Sequence, residues 1–324
     1  MNDETASNRP GASIFDAGLF VRTAPFMGVA NDYDLTDCRL AVLGIPYDWG
    51  VHPVRIGSRL GPAAIREQSA LVRPYQPPMA DYDPRERLGV VDCGDARVTP
   101  SRIDESFEAI ESAMLRILEC GALTLTMGGD GMVTLPQLRA LHKHHPDLVA
   151  LHFDAHTDTA PTVGQHKYTT GTTFTRAAEE GVVDAANSMH IGPRGSIPMQ
   201  GIFEHTRDQG YELITGGELI EQGIPAMLEH IHARLAGRPV QLVWDMDVFD
   251  PSCAPGVCTP TWGGLTAREG LAIIQGLAGL NFVGFDVNTV SPPHDVGGMS
   301  AFLAATMMRE CMVLACHTLG LHEG

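Results

Sequence analysis

Short apolar runs alternate with amphipathic runs along most of the chain. The apolar runs predict buried strands at 39–45, 88–92, 122–127, 148–153, 189–192, 240–245 and 282–287. Apolar residues at helical spacing predict helices between an N-cap at Ser101 and a stop at Gly121, and at 134–145, 225–235, 266–280 and 301–316. Strands that alternate with helices of this length are typical of βαβ units. We therefore expect an α/β fold, with a parallel sheet flanked by helices on both faces.

No linker, repeat or low-complexity segment divides the chain, so we predict a flexible tail at 1–15 and a single domain at 16–324. The polar first residues lack the basic start and apolar core of a signal peptide. We find no apolar run near the roughly 20 residues that a membrane helix needs. The seven cysteines are dispersed without a CxxC pair, which is typical of reduced thiols. These features predict a cytoplasmic protein that does not enter a membrane.

The formal net charge of −17 limits which partners the chain is expected to bind. It disfavours nucleic acid and anionic membranes, because their phosphates would be repelled. It suits a cationic small substrate or a basic partner, although many cytosolic enzymes are simply acidic. No GxGxxG or GxxxxGKS/T loop follows a predicted strand, and there is no GxSxG motif. The sequence thus excludes the usual nucleotide loops and the serine-hydrolase elbow.

Acidic clusters follow three of the predicted strands. The strand at 122–127 leads into a Gly-Gly-Asp loop that ends at Asp130. The strands at 148–153 and 240–245 lead to carboxylates and an imidazole at alternate positions: Asp154, His156, Asp158, Asp245 and Asp247. Alternate side chains share one side of an extended chain, and parallel sheets bind ligands beyond the carboxyl ends of their strands. The sequence therefore predicts a site for divalent ions such as Mn²⁺, Ni²⁺ or Co²⁺.

Each of these motifs also has a plainer interpretation. A polar turn after a strand often carries aspartate, and Asp130 could simply accept hydrogen bonds from backbone amides. We expect His152 to pack or hydrogen-bond beside its strand, and His190 to be an ordinary surface or helix histidine. The Asp-x-His-x-Asp pattern after an apolar strand is much less common in plain turns, which favours the metal site.

The motifs, in their order along the chain, resemble those of the ureohydrolases, the family of arginase and agmatinase. Two matching segments lie near the N-terminus, the Gly-Ile-Pro-Tyr-Asp motif at 44–48 and the arginine- and glycine-containing motif at 55–66. The three acidic loops described above also match, and the match of the third continues to residue 256. The last two matching segments are Gly-Gly-Leu-Thr at 263–266 and the segment at 284–292. The pattern is agmatinase-like. The resemblance implies a single α/β domain, trimers or hexamers, and a binuclear metal centre. That centre would hydrolyse a guanidinium C–N bond to release urea and an amine.

Three positions depart from the family pattern. Gly131 stands where the family has a histidine that binds one metal ion. Thr170 stands where a histidine usually transfers the proton, and Thr289 where a glutamate orients the substrate cation. Threonine neither relays a proton near neutral pH nor neutralises a guanidinium. We assign no catalytic residue; Asp158 and His166 are the remaining candidates, and His166 also fits a solvated loop.

The resemblance also implies the ligands of each ion. The intact position would use Asp154, His156, Asp245 and Asp247, and the damaged one would keep Asp154, Asp158 and Asp245. Loss of a nitrogen ligand weakens a site strongly, since even outer-shell changes cost roughly ten- to a hundredfold in affinity. We therefore expect at most one firmly bound ion per chain, nickel or manganese, or none.

Three interpretations follow from these departures. In the first, the chain does not turn over alone and assembles with an intact ureohydrolase paralogue, in a hetero-hexamer or hetero-trimer that takes a small cationic guanidino substrate. In the second, it is a divergent metal-dependent hydrolase of a modified guanidine or amidine. In the third, it is a metal-free binding or regulatory subunit whose carboxylates face a bound amine or an arginine such as Arg194. For Arg194 we favour a structural or inter-subunit salt bridge.

Overall fold

A computed structural model describes residues 18–48 and 55–323; the predicted tail at 1–15 lies outside them. Within these ranges the chain forms a sheet of nine strands in the order β1-β3-β2-β4-β9-β8-β5-β6-β7. The strands are β1 (Phe20–Val21), β2 (Leu40–Gly44), β3 (Val91–Ala96), β4 (Leu123–Met127), β5 (Val149–Phe153), β6 (Met189–Ile191), β7 (Glu212–Ile214), β8 (Val240–Asp245) and β9 (Phe282–Asn288). All neighbours pair in parallel except β1, which is antiparallel to β3.

Nine α-helices lie in the same described ranges. They are α1 (Gly61–Gln68), α2 (Pro84–Leu88), α3 (Ile103–Leu118), α4 (Thr134–His144), α5 (Thr173–Glu180), α6 (Ile202–Asp208), α7 (Gly216–Leu235), α8 (Ala267–Gly276) and α9 (Met299–Thr318). Capping boxes begin α7 at Thr215 and α8 at Thr266, where each threonine exchanges hydrogen bonds with the glutamate three residues on. The predicted helix at 225–235 is the second half of α7, which is interrupted at Gly223 with φ 77°.

The sheet is covered on both faces, as the pattern predicts. Leu40 and Val42 of β2 belong to one buried cluster, and Ala41 and Leu43 belong to the other. Helix α9 packs on the first face, whereas α3 and α4 contribute to the second. Strands buried on both faces are continuous apolar runs, which explains why they were visible in the sequence.

Helix α9 corrects the prediction that no segment is long and apolar enough to cross a membrane. It meets that description by length and composition, but most of it is buried inside the domain. It packs against α1, α2 and α8, and its adjacent charges, Arg309 and Glu310, are buried and paired at 2.9 Å. Helix α9 is therefore a core helix of this fold.

One buried ion pair joins α1 to β3. The Arg66 guanidinium donates to both oxygens of Asp92, at 2.9 and 3.0 Å, and to Asp95 at 2.5 Å. Asp92 also accepts a hydrogen bond from the Phe26 amide at 2.8 Å. The arginine and Asp92 are fully enclosed, so the pair anchors the first helix to the sheet.

Candidate metal centre

The loops after four adjacent strands, β4, β9, β8 and β5, meet at the carboxyl edge of the sheet. The sequence pointed to three of these loops, and the structure inserts β9 between β4 and β8. The loops surround a cavity of about 430 Å³. Its inner end is lined by Asp130, His156, Asp158, Thr170, Asp245, Asp247 and Thr289. Parallel pairing thus brings distant segments of the chain to one point, the usual ligand position in an open α/β sheet.

The first donor group consists of Asp154, His156 and Asp247, whose ligand atoms all lie within 4.8 Å of one another. The His156 Nδ1 atom lies 3.2 Å from Asp154 Oδ1 and 3.1 Å from Asp247 Oδ2. Two backbone amides hold the carboxylates in place: His156 N donates to Asp154 Oδ1 at 2.7 Å, and Ala155 N to Asp247 Oδ1 at 3.1 Å. Two carboxylates and an imidazole fit a divalent ion such as Mn²⁺ or Ni²⁺.

The second donor group consists of His152, Asp154 and Asp158. His152 Nε2 lies 3.0 Å from Asp154 Oδ2, and its Nδ1 lies 2.9 Å from Nδ1 of His190. The expected hydrogen bonding of His152 is thus confirmed. The expectation for His190 was wrong, because it lies in β6 directly opposite His152 of β5 and is buried. The only signal in the sequence for the burial of His190 was its position between two apolar strand residues, Met189 and Ile191.

Asp245 lines the same cavity but is held differently. Its Oδ1 atom accepts hydrogen bonds from the Asp247 amide at 2.7 Å and from the Thr289 hydroxyl. Thr289 adopts φ 67°, in the left-handed region that non-glycine residues rarely occupy, and its amide donates to Gly129 O at 2.7 Å. Thr289, which stands where the resemblance implies a glutamate, therefore satisfies a carboxylate oxygen of the cluster.

Gly131 faces the site. A Cβ atom at this position would lie 3.1 Å from Asp158 Oδ2 and 2.9 Å from the Thr170 methyl carbon. A side chain at 131 would therefore point towards Asp158, as a metal-binding residue would. Two of the three departures from the family pattern, Gly131 and Thr170, are neighbours in space.

His166 and Arg194 lie elsewhere. His166 is exposed, in a turn in which its amide donates to Val163 O at 3.1 Å, and it does not line the cavity. This position agrees with the solvated loop. Arg194 is half-buried and donates to backbone carbonyls of Asp247 at 2.9 Å and Thr261 at 2.8 Å. Arg194 therefore braces the loop after β8 and does not fill the carboxylate cluster.

Burial and mutual repulsion control the charges of the cluster. Burial, reinforced by the charge of Asp154, raises the pKa of Asp158 well above its usual range and that of Asp247 to about 6. Burial and the charge of Asp247 also raise the pKa of Asp245. Burial opposes ionisation of Asp154 as well, but hydrogen bonds from His152 and His156 outweigh it and lower its pKa. Groups that repel one another when charged gain from a shared cation, which is how metal sites are built.

Comparison with known proteins agrees with this geometry. The model of the arginase family matches residues 38–314. Guanidinopropionase of Pseudomonas aeruginosa is 38% identical over 296 residues, 91% of this chain and 92% of that protein, and an agmatinase of an Enterobacter species is 36% identical, over 87% and 89%. The solved structure of proclavaminate amidino hydrolase from Streptomyces clavuligerus has a TM-score of 0.85 and 32% identity, covering 92% of this chain and 99% of that one.

The chain belongs to the arginase family of ureohydrolases, and within it resembles the agmatinases and guanidino-acid hydrolases. The expected fold is confirmed as an arginase-like α/β fold in a single domain. The His/Asp cluster at its sheet edge can hold divalent metal.

Proposed function

We propose that this chain is a ureohydrolase subunit with an incomplete metal centre. It is a non-catalytic partner of an intact paralogue that hydrolyses a guanidino compound. The observation that carries the proposal is Gly131, which faces Asp158 but offers no donor atom. The position whose side chain would complete the second donor group thus contributes nothing to an ion.

The other two departures support the same conclusion. Thr170 places a methyl group beside position 131, and Thr289 binds Asp245 through its hydroxyl. A proton carrier and a substrate carboxylate are thereby replaced by neutral groups at the same cavity. Loss of one function would suit a changed substrate, whereas loss of three together favours a subunit that no longer catalyses.

The chain's remaining donors define what it can still do. Asp154, His156 and Asp247 would hold one ion, nickel or manganese, and Asp158 would be left to a weaker second position. A divalent ion supplies Lewis acidity that activates water. Because threonine stands at 170, where the resemblance implies the histidine that carries the proton, this chain contributes binding and positioning only.

We further propose a cytoplasmic hetero-hexamer or hetero-trimer with an active subunit. The combination of losses is similar to that of the non-catalytic subunit of a nickel-dependent metformin hydrolase, so an N-substituted biguanide is one candidate substrate of the complex. This finer proposal rests on the pattern of replaced residues.

The test compares the chain alone, its intact paralogue alone, and the two co-expressed. We expect the lone chain to hold at most one tight nickel or manganese ion by elemental analysis and to release no urea. Native mass spectrometry of the co-expressed pair should show both subunits in one particle. Turnover by the lone chain near ten per second, an ordinary enzymatic rate, would rule out the non-catalytic role.

A restoration series sharpens the test. The triple variant G131H/T170H/T289E introduces, at all three departing positions, the residues that the resemblance implies. We expect it to bind two ions per chain. The matched control G217H adds an imidazole at an exposed glycine of α7 and should leave the metal content unchanged. Equal metal content in all three proteins would argue against Gly131 as the cause.

A second candidate, a one-metal hydrolase, is favoured by the assembled Asp154, His156 and Asp247 group. It predicts that the lone chain hydrolyses a modified guanidine and that D154A abolishes this activity together with metal binding. Activity that survives D154A would exclude a metal mechanism for this chain.

A further inference from the structure

The outer half of the cavity differs chemically from its inner end. Apolar side chains from three separate segments line it: Ile56, Val163, Ile197, Met199, Ile202 and Phe203. Ile56 and Ile197, which line this open cavity, are 43% and 38% exposed. The inner end carries the carboxylates described above. One cavity thus joins an acidic end to an apolar wall.

Basic groups are scarce along this wall. Apart from His156, Arg55 is the only basic side chain among the described residues that line the cavity. Its guanidinium donates to the carbonyl oxygens of Pro255 and Val257, both at 2.7 Å. Two of its nitrogens, Nε and Nη2, are thus used to hold the segment that precedes Cys258, another lining residue. A carboxylate entering this part of the cavity would lose water and would have to compete with those carbonyls for the guanidinium.

We propose that the cavity binds a guanidinium whose substituent is an uncharged alkyl chain, in preference to one that carries a carboxylate. The cationic head faces the aspartates, and the alkyl chain lies against Val163, Ile197 and Phe203. Burial of apolar surface favours the alkyl chain, while the nearby negative charges repel a carboxylate. The inference rests on the proposed function only for the guanidinium head.

The experiment measures binding to the purified chain by calorimetry with three ligands: guanidinium, butylguanidinium and 4-guanidinobutyrate. All three share the head group, and the last two share a similar length. We expect butylguanidinium to bind at least about tenfold more tightly than guanidinium, because its chain is buried. We expect 4-guanidinobutyrate to bind at least about tenfold more weakly than butylguanidinium, because its charge stays unpaired.

A charge placed on the wall should reverse the preference. The variant I197R supplies a cation beside the alkyl position, so it should tighten 4-guanidinobutyrate and weaken butylguanidinium. The control I220R adds the same charge at an exposed site of α7 that does not line the cavity, and should change neither. These are equilibrium measurements and need no turnover.

Two results overturn the inference. One is equal or tighter binding of 4-guanidinobutyrate, and the other is binding of butylguanidinium no tighter than that of guanidinium, undetectable binding included. Neither result touches the proposed non-catalytic role, which depends on turnover and on assembly with a paralogue. Conversely, catalysis by the lone chain would end that role and leave the ligand preference standing.

Discussion

Individual residues of the cluster work against folding when no ion is bound. Asp158 is 7% exposed, lies beside Asp154 and adopts φ 51°, a backbone conformation unusual outside glycine. Its negative charge is poorly solvated, and burial together with the charge of Asp154 outweighs the attraction of His156. A buried charge in such surroundings lowers the free energy of unfolding. The site is thus maintained at a cost in stability, which is common at functional positions.

The variant D158N should stabilise the metal-free protein. The raised pKa of Asp158 means that the native state holds this proton more tightly than the unfolded chain does. Its contribution to stability is therefore present in acid and lost as pH rises through the folded pKa. We expect D158N to raise the free energy of unfolding near pH 8, where the native carboxylate is disfavoured relative to the unfolded one, and to change it little near pH 4.

Urea unfolding in the presence of a chelator measures this difference. The control D81N removes a charge from an exposed loop and should change stability little at either pH. A loss of stability in D158N near pH 8 would contradict the role assigned to the buried charge.

At the scale of the elements, contacts between distant segments decide what the sequence could predict. Strands β4 and β8 were placed to within a residue, because they are apolar runs that end at glycine or aspartate. Strand β3 was placed too early, since Leu88 ends α2 and the chain turns at Gly89, with φ 55°, before the strand begins. The short helices α1, α5 and α6 were missed, because eight residues or fewer carry too little periodicity.

Contacts between distant segments also limited how much of the site could be predicted. The Asp and His ligands were visible, because their alternation follows from the local chain. The pairing of His152 with His190 and of Thr289 with Asp245 depends on which strands are adjacent, which no local pattern encodes.

The Arg66 pair between α1 and β3 should be essential for stability. The variant R66A leaves the buried Asp92 and the partly buried Asp95 without their partner, and breaking a buried pair costs about 3–5 kcal/mol. Urea unfolding should show this loss. The control R139A removes the half-exposed ion pair with Glu180 that joins α4 to α5, and should cost about 1 kcal/mol or less. Similar losses of unfolding free energy in R66A and R139A would contradict the conclusion that burial makes the Arg66 pair important for stability.

For the whole molecule, repulsion within the net charge of −17 lowers the free energy of unfolding further, in addition to the repulsion within the acidic cluster. Self-repulsion destabilises a compact state, and dissolved ions screen it. We expect raising the salt from about 10 to about 150 mM to increase stability by on the order of 1 kcal/mol, measured with a chelator present. Potassium chloride is the suitable salt at these concentrations, with sucrose at equal osmolality as the control. Stability that is unchanged or falls over this range would contradict the expectation.

The contact between positions 131 and 170 has a consequence for any attempt to rebuild the site. With glycine at 131 and threonine at 170, a methyl group lies 2.9 Å from where a new Cβ must stand. An imidazole introduced at 131 alone therefore meets this methyl group, and Thr170 has to shift before the new side chain fits. Changing 170 first removes the obstacle. The order of the two substitutions, and not only their number, therefore decides how easily the chain accepts a side chain at 131.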